Sequence, residues 1–308
     1  MMEPDQTNQS FTIQDDTVDL KELFGLLWEG RKLIILITFV FALGSIFYAL
    51  SLNNYYKSEA ILNLSDQQSE LSALSRYSGL ASMAGINIKG SGGDKGALIT
   101  NTIRSRAFLK HLLSVENILP SIMAPKSYDQ ESKKLVFDSD VYDAANKKWI
   151  QAQPSYLQAY SVYMGQLNVN YDPLIRIIDI SIEHLSPIFA KEFLDLVIRE
   201  ADALMRQKDL QQSSDALAYL TSEISKTSLV AMKSSMNQLV QSQLETHMMA
   251  KISSSYILQV IEPPFIPEIR SKPSSRSLIC LLVTITGFVL SCLWILMRHF
   301  AFNEKSKA

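Results

Sequence analysis

Three aspartates close together in a polar stretch are the first residues of this sequence that invite a catalytic interpretation. They are Asp138, Asp140 and Asp143. Two carboxylates that share a site can divide the acid and base roles of glycoside hydrolysis. Acidic side chains in a polar loop are far more often solvated surface. We therefore expect no glycosidase site here.

The four histidines are the next candidates, because histidine serves both in metal binding and in proton transfer. They are His111, His184, His247 and His299, and their wide separation gives no metal-ligand spacing. The chain also lacks a Gly-x-Ser-x-Gly motif. We predict that this protein is not an enzyme and has no catalytic, cofactor-binding or metal-binding residues. The motifs single out no ligand-binding residues either.

A glycine-rich run, NIKGSGGDKG, contains the only pattern that suggests phosphate binding. Its glycines are Gly90, Gly92, Gly93 and Gly96, and no Gly-Lys-Ser/Thr follows at the required offset. We therefore interpret residues 66–96 as a flexible surface loop.

Aromatic side chains are concentrated between residues 142 and 163, where ring faces could stack on sugars. The same side chains also fill cores and helix interfaces, and we favour packing over a sugar site. The residues concerned are Tyr142, Trp149, Tyr156, Tyr160 and Tyr163.

Two long apolar stretches, residues 33–52 and 278–297, set the organisation of the chain. Each has 20 residues and no charge, so a helix of either would span roughly 30 Å, the thickness of a bilayer core. Buried core helices and a cleaved signal peptide are the alternatives. The length of the runs and the 32 residues before the first one favour two membrane spans. Small residues recur at i and i+4 in both, as Ser45 and Ala49 and as Gly287 and Ser291; this spacing lets helices approach closely, but it is also common by chance, so a packing role stays open.

Positive charge predicts the orientation of these spans. Lys21, Arg31 and Lys32 precede the first span, and only Lys57 lies close behind it. Residues 1–32 and the 298–308 tail should therefore be cytoplasmic, with residues 53–277 exported. The net charge of −2 indicates no nucleic-acid partner. Both cysteines lie in the second span, so the exported region makes no disulfide.

Alternating patterns predict four strands in the exported region, at residues 55–64, 166–171, 174–183 and 256–262. In the first, Ala60, Leu62 and Leu64 share one face. We expect the first, third and fourth strands to lie in one sheet. Residues 97–115 have helical periodicity through Ile99, Ile103, Phe108 and Leu112, whereas residues 121–154 predict short helices and loops.

A long helical stretch is predicted from about residue 187 to 252. Ser186 and Pro187 supply an N-cap and a first-turn proline, and residues 188–262 contain neither Gly nor Pro. A straight helix would span roughly 98 Å, yet the strand that follows lies only about 15 residues before the second span. The stretch must therefore fold back, at residues 207–215 or 225–228. The fold class is α+β: two transmembrane helices flank an α/β base that carries a long helical hairpin over about 186–252.

Four segments resemble the Wzz-type chain-length determinants, also called polysaccharide co-polymerases. The first is VDLKELFGLLW at residues 18–28, before the first span. The second joins LASMAGI at 80–86 to IRSRAFL at 103–109. The third is YLTSEISKTSL at 219–229, ahead of the Met-Met-Ala at 248–250. The fourth is YILQVIEPPFIPEIRSKPSSR at 256–276, whose prolines predict a stiff extended spacer.

The resemblance implies an inner-membrane protein of a Gram-negative bacterium, with a large periplasmic domain at residues 53–277. It implies a homo-oligomeric ring in the membrane lipid that acts with an integral-membrane polymerase. It further implies control of the length of a lipid-linked polysaccharide such as O antigen, without catalysis. We expect no kinase domain, because the chain ends eleven residues after Met297.

Three other functions compete with this interpretation. A capsule or exopolysaccharide export component of similar architecture is the main alternative, and neighbouring genes would distinguish it. A two-span sensor would need a cytoplasmic output domain. A periplasmic hydrolase would need a catalytic site that the motifs do not supply.

Overall fold

The computed structural model describes residue 28 and residues 30–64, 94–253 and 255–305. The predicted loop at 66–96 lies outside them, except for residues 94–96. The helices are α1 Arg31–Ser51, α2 Lys95–Ile103, α3 Arg106–Val115, α4 Leu119–Met123, α5 Tyr156–Gln166, α6 Pro187–Lys226, α7 Val230–Ile252 and α8 Arg276–Lys305. The strands are β1 Tyr55–Leu64, β2 Pro125–Asp129, β3 Lys134–Phe137, β4 Tyr142–Asp143, β5 Lys148–Trp149, β6 Leu167–Asp172, β7 Ile177–His184, β8 Leu258–Glu262 and β9 Arg270–Lys272.

The chain divides into two compact units, one formed by its two ends and one by residues 53–273. In the first unit, α1 and α8 are long and apolar enough to cross a membrane. They pack together through the small residues that the sequence identified, because Ser45, Ala49 and Ser291 are buried. A Cβ at Gly287 would lie 2.6 Å from the Cβ of Phe41. The small-residue faces therefore have a packing role, which the sequence alone had left open.

The second unit is built on an antiparallel sheet in the order β6-β7-β1-β8, with β9 also paired to β1. The prediction that three of its strands share a sheet is confirmed. In β1 alternate side chains are buried, among them Ala60, Leu62 and Leu64, as predicted. Helices cover that face, and the mixed α+β class is confirmed.

The proline-rich approach to α8 contains a strand that the sequence analysis missed. The proline pattern predicts only an extended spacer, but β9 pairs with β1 at Tyr55 and Tyr56. Ser271 donates from its hydroxyl to the Tyr55 carbonyl over 3.1 Å, and Lys272 forms an ion pair with Glu183. The segment is therefore part of the sheet.

The helix expected over residues 97–115 is two helices, α2 and α3. Ser105 ends the first and caps the second, since its hydroxyl accepts the Phe108 N–H at 3.1 Å. The predicted apolar series is buried throughout. Gly96, assigned to a loop by its sequence, lies in the first turn of α2. A Cβ there would clash with the ring of Tyr171, so the close approach of α2 to β6 requires glycine.

The prediction of short helices and loops for residues 121–154 is wrong in part. Two small hairpins, β2-β3 and β4-β5, occupy most of this stretch. Their turns contain Lys133 and Lys147 at positive φ, where the usual glycine or asparagine signal is missing. Without that signal, the sequence pattern did not predict either hairpin.

The long helical stretch is α6 and α7, separated by Thr227–Leu229. The reversal therefore lies in the second of the two predicted patches, and residues 207–215 continue α6 without a break. At 1.5 Å per residue, the 40 residues of α6 span roughly 60 Å and the 23 of α7 roughly 35 Å. Ser186 caps α6 as predicted, by accepting the Phe189 N–H at 3.2 Å.

Candidate functional surface

Burial changes abruptly along the helical hairpin. The buried face of α6, which packs on the sheet, begins at Pro187 and ends at Ser213. From residue 214 to residue 249 no side chain is buried. We call residues 214–249 the distal pair, and the sheet with α2–α5 and residues 187–213 the base.

The distal pair presents many large apolar side chains to solvent. Val230, beside the reversal, is 82% exposed. Large apolar side chains that stay exposed together can mark an interaction surface. Its exposed members are Tyr219, Leu229, Val230, Met232, Leu239, Leu244, Met248 and Met249.

One polar contact ties the two helices together where the base ends. The hydroxyl of Ser213 on α6 lies 3.1 Å from His247 Nδ1 on α7. Ser213 is buried, so this hydrogen bond fixes the register of α7 against α6 at that level.

Asp202 holds the end of the hairpin to the sheet. Its carboxylate accepts the backbone N–H groups of Tyr256, Ile257 and Leu258 at 3.0, 2.8 and 3.1 Å. Arg206, one turn further along α6, lies 3.1 Å from the same carboxylate. Strand β8 begins at Leu258 and not at residue 256 as predicted, and the N–H groups of Tyr256 and Ile257 bond to the carboxylate instead of to a neighbouring strand.

A second acid extends this contact. The Tyr256 hydroxyl donates to Asp209 over 2.7 Å, and Lys95 of α2 reaches the same Asp209 oxygen at 3.2 Å. Burial and the Asp209 carboxylate raise the pKa of Tyr256 above its ordinary value. We call Asp202, Asp209 and Tyr256 the clasp, since together they join α2, α6 and the chain entering β8.

A groove of about 590 Å³ runs beside the clasp. Asp195, Arg199, Asp202 and Arg206 line it together with apolar side chains such as Leu258. Its charged groups are already paired, with Arg199 on Glu116 at 3.1 Å and Arg206 on Asp202. The groove therefore holds ion pairs that brace α6, and no isolated acid or base.

The three aspartates of the sequence analysis serve local turns. Asp138 accepts the Asp140 N–H at 3.2 Å. Asp143 accepts the Asn146 side-chain amide at 2.7 Å and the Ala145 N–H at 3.0 Å, and these bonds lower its pKa. A glycosidase acid needs a raised pKa, so Asp143 lacks the property of a proton donor.

His111, His184 and His247 contact different partners, and no group of metal-ligating residues occurs within the described ranges. The side chain of His299 is not among those that the structure describes. His111 contacts Glu200 at 2.9 Å, and His247 contacts Ser213. His184 is fully buried between Ser121 and Ser186. Its Nδ1 accepts the Ser186 N–H at 3.1 Å, so Nε2 carries the proton and donates to the Ser121 carbonyl at 2.9 Å.

Burial of His184 lowers its pKa to about 4. The neutral ring therefore persists through the physiological range, and it joins α4 to the N-cap of α6. His184 is a structural residue that positions the start of the long helix.

The aromatic residues favoured for packing do pack in most cases. Tyr163 is fully buried, and its hydroxyl donates to the Ile103 carbonyl at 2.9 Å. Tyr142 is buried against Trp149, with ring centroids 5.1 Å apart. Tyr160 donates to the Arg104 carbonyl at 2.8 Å. Tyr156 differs, because it stays on the surface.

The clasp was not predicted from the sequence, although one signal for it exists there. Asp202 occupies a position four residues after Ile198 and three before Met205, on an otherwise apolar helix face, with Arg206 four residues further on. An acid on a buried face needs partners. Only the fold shows that these are three backbone N–H groups of a segment more than 50 residues away.

Comparison with known proteins gives one family match. Residues 16–114 match the family model described as "Wzz: Chain length determinant protein". No curated protein sequence matches the chain.

Two solved structures are similar to this chain at low identity. A "full-length bacterial polysaccharide co-polymerase" shares 14% identity at a TM-score of 0.40, with 92% of this chain and 99% of that chain covered. A "Fragment of WzzB, Polysaccharide Co-polymerase from Salmonella Typhimurium" shares 11% identity at a TM-score of 0.30, with 71% and 100% covered. The family match over residues 16–114 confirms the resemblance to the Wzz family of chain-length determinant proteins for the motifs at 18–28, 80–86 and 103–109.

Proposed function

We propose that this protein is a non-catalytic regulator of the chain length of a lipid-linked surface polysaccharide, O antigen or a similar polymer. It acts as a homo-oligomeric scaffold beside a separate integral-membrane polymerase. The family match is the observation that carries the proposal. The candidate residues support it, because Asp138, Asp143, His111, His184 and His247 take part in turns, ion pairs and structural hydrogen bonds.

The distal pair supports the oligomeric part of the proposal. Its apolar side chains have no cover within the described chain, and neither helix has a buried residue between 214 and 249. Neighbouring copies would bury this surface, as expected for a subunit whose partners complete its packing.

The two apolar helices support a location in the inner membrane, and positive charge before α1 favours cytoplasmic termini with a periplasmic base. Cysteine labelling tests the orientation in a chain whose Cys280 and Cys292 are replaced by serine. A cysteine at Leu174, which is 91% exposed, should react with an impermeant reagent once the outer membrane is opened. A cysteine at Asn8 should not. The reverse pattern would show that the orientation is inverted.

The function is tested by a deletion strain whose surface polysaccharide is separated on a gel. We expect polymer to persist with a broadened length distribution, and the wild-type gene to restore the modal band. Variants at single acids or histidines, such as Asp143→Asn, should still support polymerisation. Loss of all polymer in the deletion strain would favour the export component instead. Loss through one carboxylate variant at matched expression would point to an enzyme.

A further inference from the structure

Helices α3 and α5 together form a surface of cations and tyrosine rings. The guanidinium of Arg106 on α3 lies 5.6 Å from the ring centre of Tyr160 on α5. One turn along, the ammonium of Lys110 lies 5.8 Å from the ring centre of Tyr156. We call these four residues the cation–tyrosine surface. Two equivalent pairs, in register on two packed helices, make a repeated arrangement.

The surface contains no acid. Residues 95–115 and 150–166, which include α2, α3 and α5, lack both Asp and Glu. Acids make up 31 of the 308 residues, so about four would be expected in stretches of this combined length. These stretches therefore carry basic side chains and no acidic ones, in a chain whose net charge is slightly negative.

The acids nearest in sequence are engaged elsewhere. Glu116, just after α3, pairs with Arg199. Asp94, just before α2, accepts from the Tyr171 hydroxyl at 2.7 Å. Within the part of the chain that the structure describes, neither Arg106 nor Lys110 forms an ion pair, and both are exposed. Their charge is available to a ligand.

The tyrosine rings determine which kind of anion this surface can bind. Tyr156 is 43% exposed, and Leu157 beside it is half exposed. Aromatic faces pack well against the C–H faces of sugar rings, whereas the cations donate charge-assisted hydrogen bonds to carboxylate or phosphate oxygens. A sugar that carries a carboxylate uses both groups at once. A simple inorganic anion would use only the cations.

We propose that the cation–tyrosine surface binds acidic sugar residues of a polysaccharide chain. The identity of that chain as the polymer under control rests on the proposed function. The chemistry of the surface does not, since it follows from α3 and α5 alone. Each Tyr–cation pair would hold one acidic sugar, and the two pairs would hold sugars along one chain.

The probe is hexagalacturonate, a chain of uronic acids, with maltohexaose as a neutral chain of equal length. Binding to the full-length protein in zwitterionic nanodiscs is measured by calorimetry at low and at physiological salt. We expect hexagalacturonate to bind at least tenfold more tightly than maltohexaose, and more weakly as salt rises. Arg106→Gln with Lys110→Gln should weaken it at least tenfold, and Tyr156→Ala about threefold or more.

The matched control is Lys126→Gln with Lys134→Gln, which removes the same charge from the β2-β3 hairpin. It should leave the affinity unchanged, and thermal melting shows that each variant is folded. Equal loss in both double variants, or no loss in the first, would overturn the proposal. So would recruitment to phosphatidylglycerol vesicles without hexagalacturonate binding, which would show that the surface binds lipid phosphate. These outcomes are independent of the gel ladder, because a deletion strain with an unchanged ladder counts against the proposed function alone.

Discussion

The base and the distal pair differ in how far their apolar side chains are buried. The base buries one continuous apolar cluster that includes side chains from the sheet and from α2, α3, α5 and α6. The distal pair buries nothing between residues 214 and 249. The base can therefore hold its fold through its own contacts, whereas the distal pair depends on whatever covers it.

Because of this difference, the stability of the single chain and the assembly of copies should depend on different regions. A change in the base should act on the free energy of unfolding. A change in the distal pair should act on contacts between copies and on polymer length, with little effect on the single chain.

The clasp should give the largest loss of stability. Asp202→Ala removes the acceptor of three buried backbone N–H groups and leaves Arg206 without its carboxylate. We expect the free energy of unfolding to fall by about 3–5 kcal/mol, because buried donors would remain unpaired. Thermal or urea unfolding of the detergent-solubilised protein measures it.

A graded series sharpens the test of the clasp. Asp202→Asn keeps one acceptor oxygen and should lose less than Asp202→Ala. Asp195, on the same helix, is partly exposed and pairs with Lys191, and Asp195→Asn should change stability by less than about 1 kcal/mol. Equal effects at positions 195 and 202 would contradict the role given to the clasp.

His184 should make the base sensitive to acid. Its pKa is about 4 in the folded protein and about 6.5 when unfolded, so in this range the unfolded chain binds the extra proton. The stability due to His184 is complete above pH 6.5 and is lost as the pH falls towards 4. We expect about 2–3 kcal/mol less stability at pH 4.5 than at pH 7.5.

The control for the pH effect is His184→Gln, an uncharged side chain that can still donate and accept. It should be less stable at pH 7.5 but should lack that part of the pH dependence. The difference between wild type and variant across the pH range isolates His184 from other titrating groups. An identical slope in both proteins would refute the assignment.

Several elements of the base follow directly from sequence. The alternation in residues 55–64 gives β1 with its buried face, because a half-buried strand leaves a period of two. Ser186 and Pro187 give the start of α6, because a cap is a local contact. The two apolar helices follow from length and composition alone. In each case the signal and the structure lie within the same few residues.

Other features depend on contacts that no local pattern contains. The clasp joins Asp202 to residues about 55 positions away. The hairpins of residues 125–149 have lysines at the positive-φ positions of their turns, so the glycine that usually indicates such a turn is missing from the sequence. Strand β9 forms because backbone groups of β1 at Tyr55 and Tyr56 pair with it. The cation–tyrosine surface depends on the packing of α3 on α5, and its acid-free composition was the one signal in the sequence.

Substitutions in the distal pair should have the smallest effect on stability, and their effects should differ most clearly from those of substitutions in the base. Ile224 and Met236 are partly exposed in the single chain, so Ile224→Ala or Met236→Ala should cost only about 1 kcal/mol, well below the cost of a fully buried site. If copies pack through the distal pair, the same variants remove contacts between subunits. We therefore expect a changed modal length with polymer still abundant, read from the gel ladder at matched expression. Leu174→Ala, a fully exposed apolar side chain of the base, is the control and should leave the ladder unchanged. The contrary result would be a variant of the distal pair that lowers stability as much as Asp202→Ala and leaves the ladder intact. The distal pair would then stabilise the single chain and not the assembly.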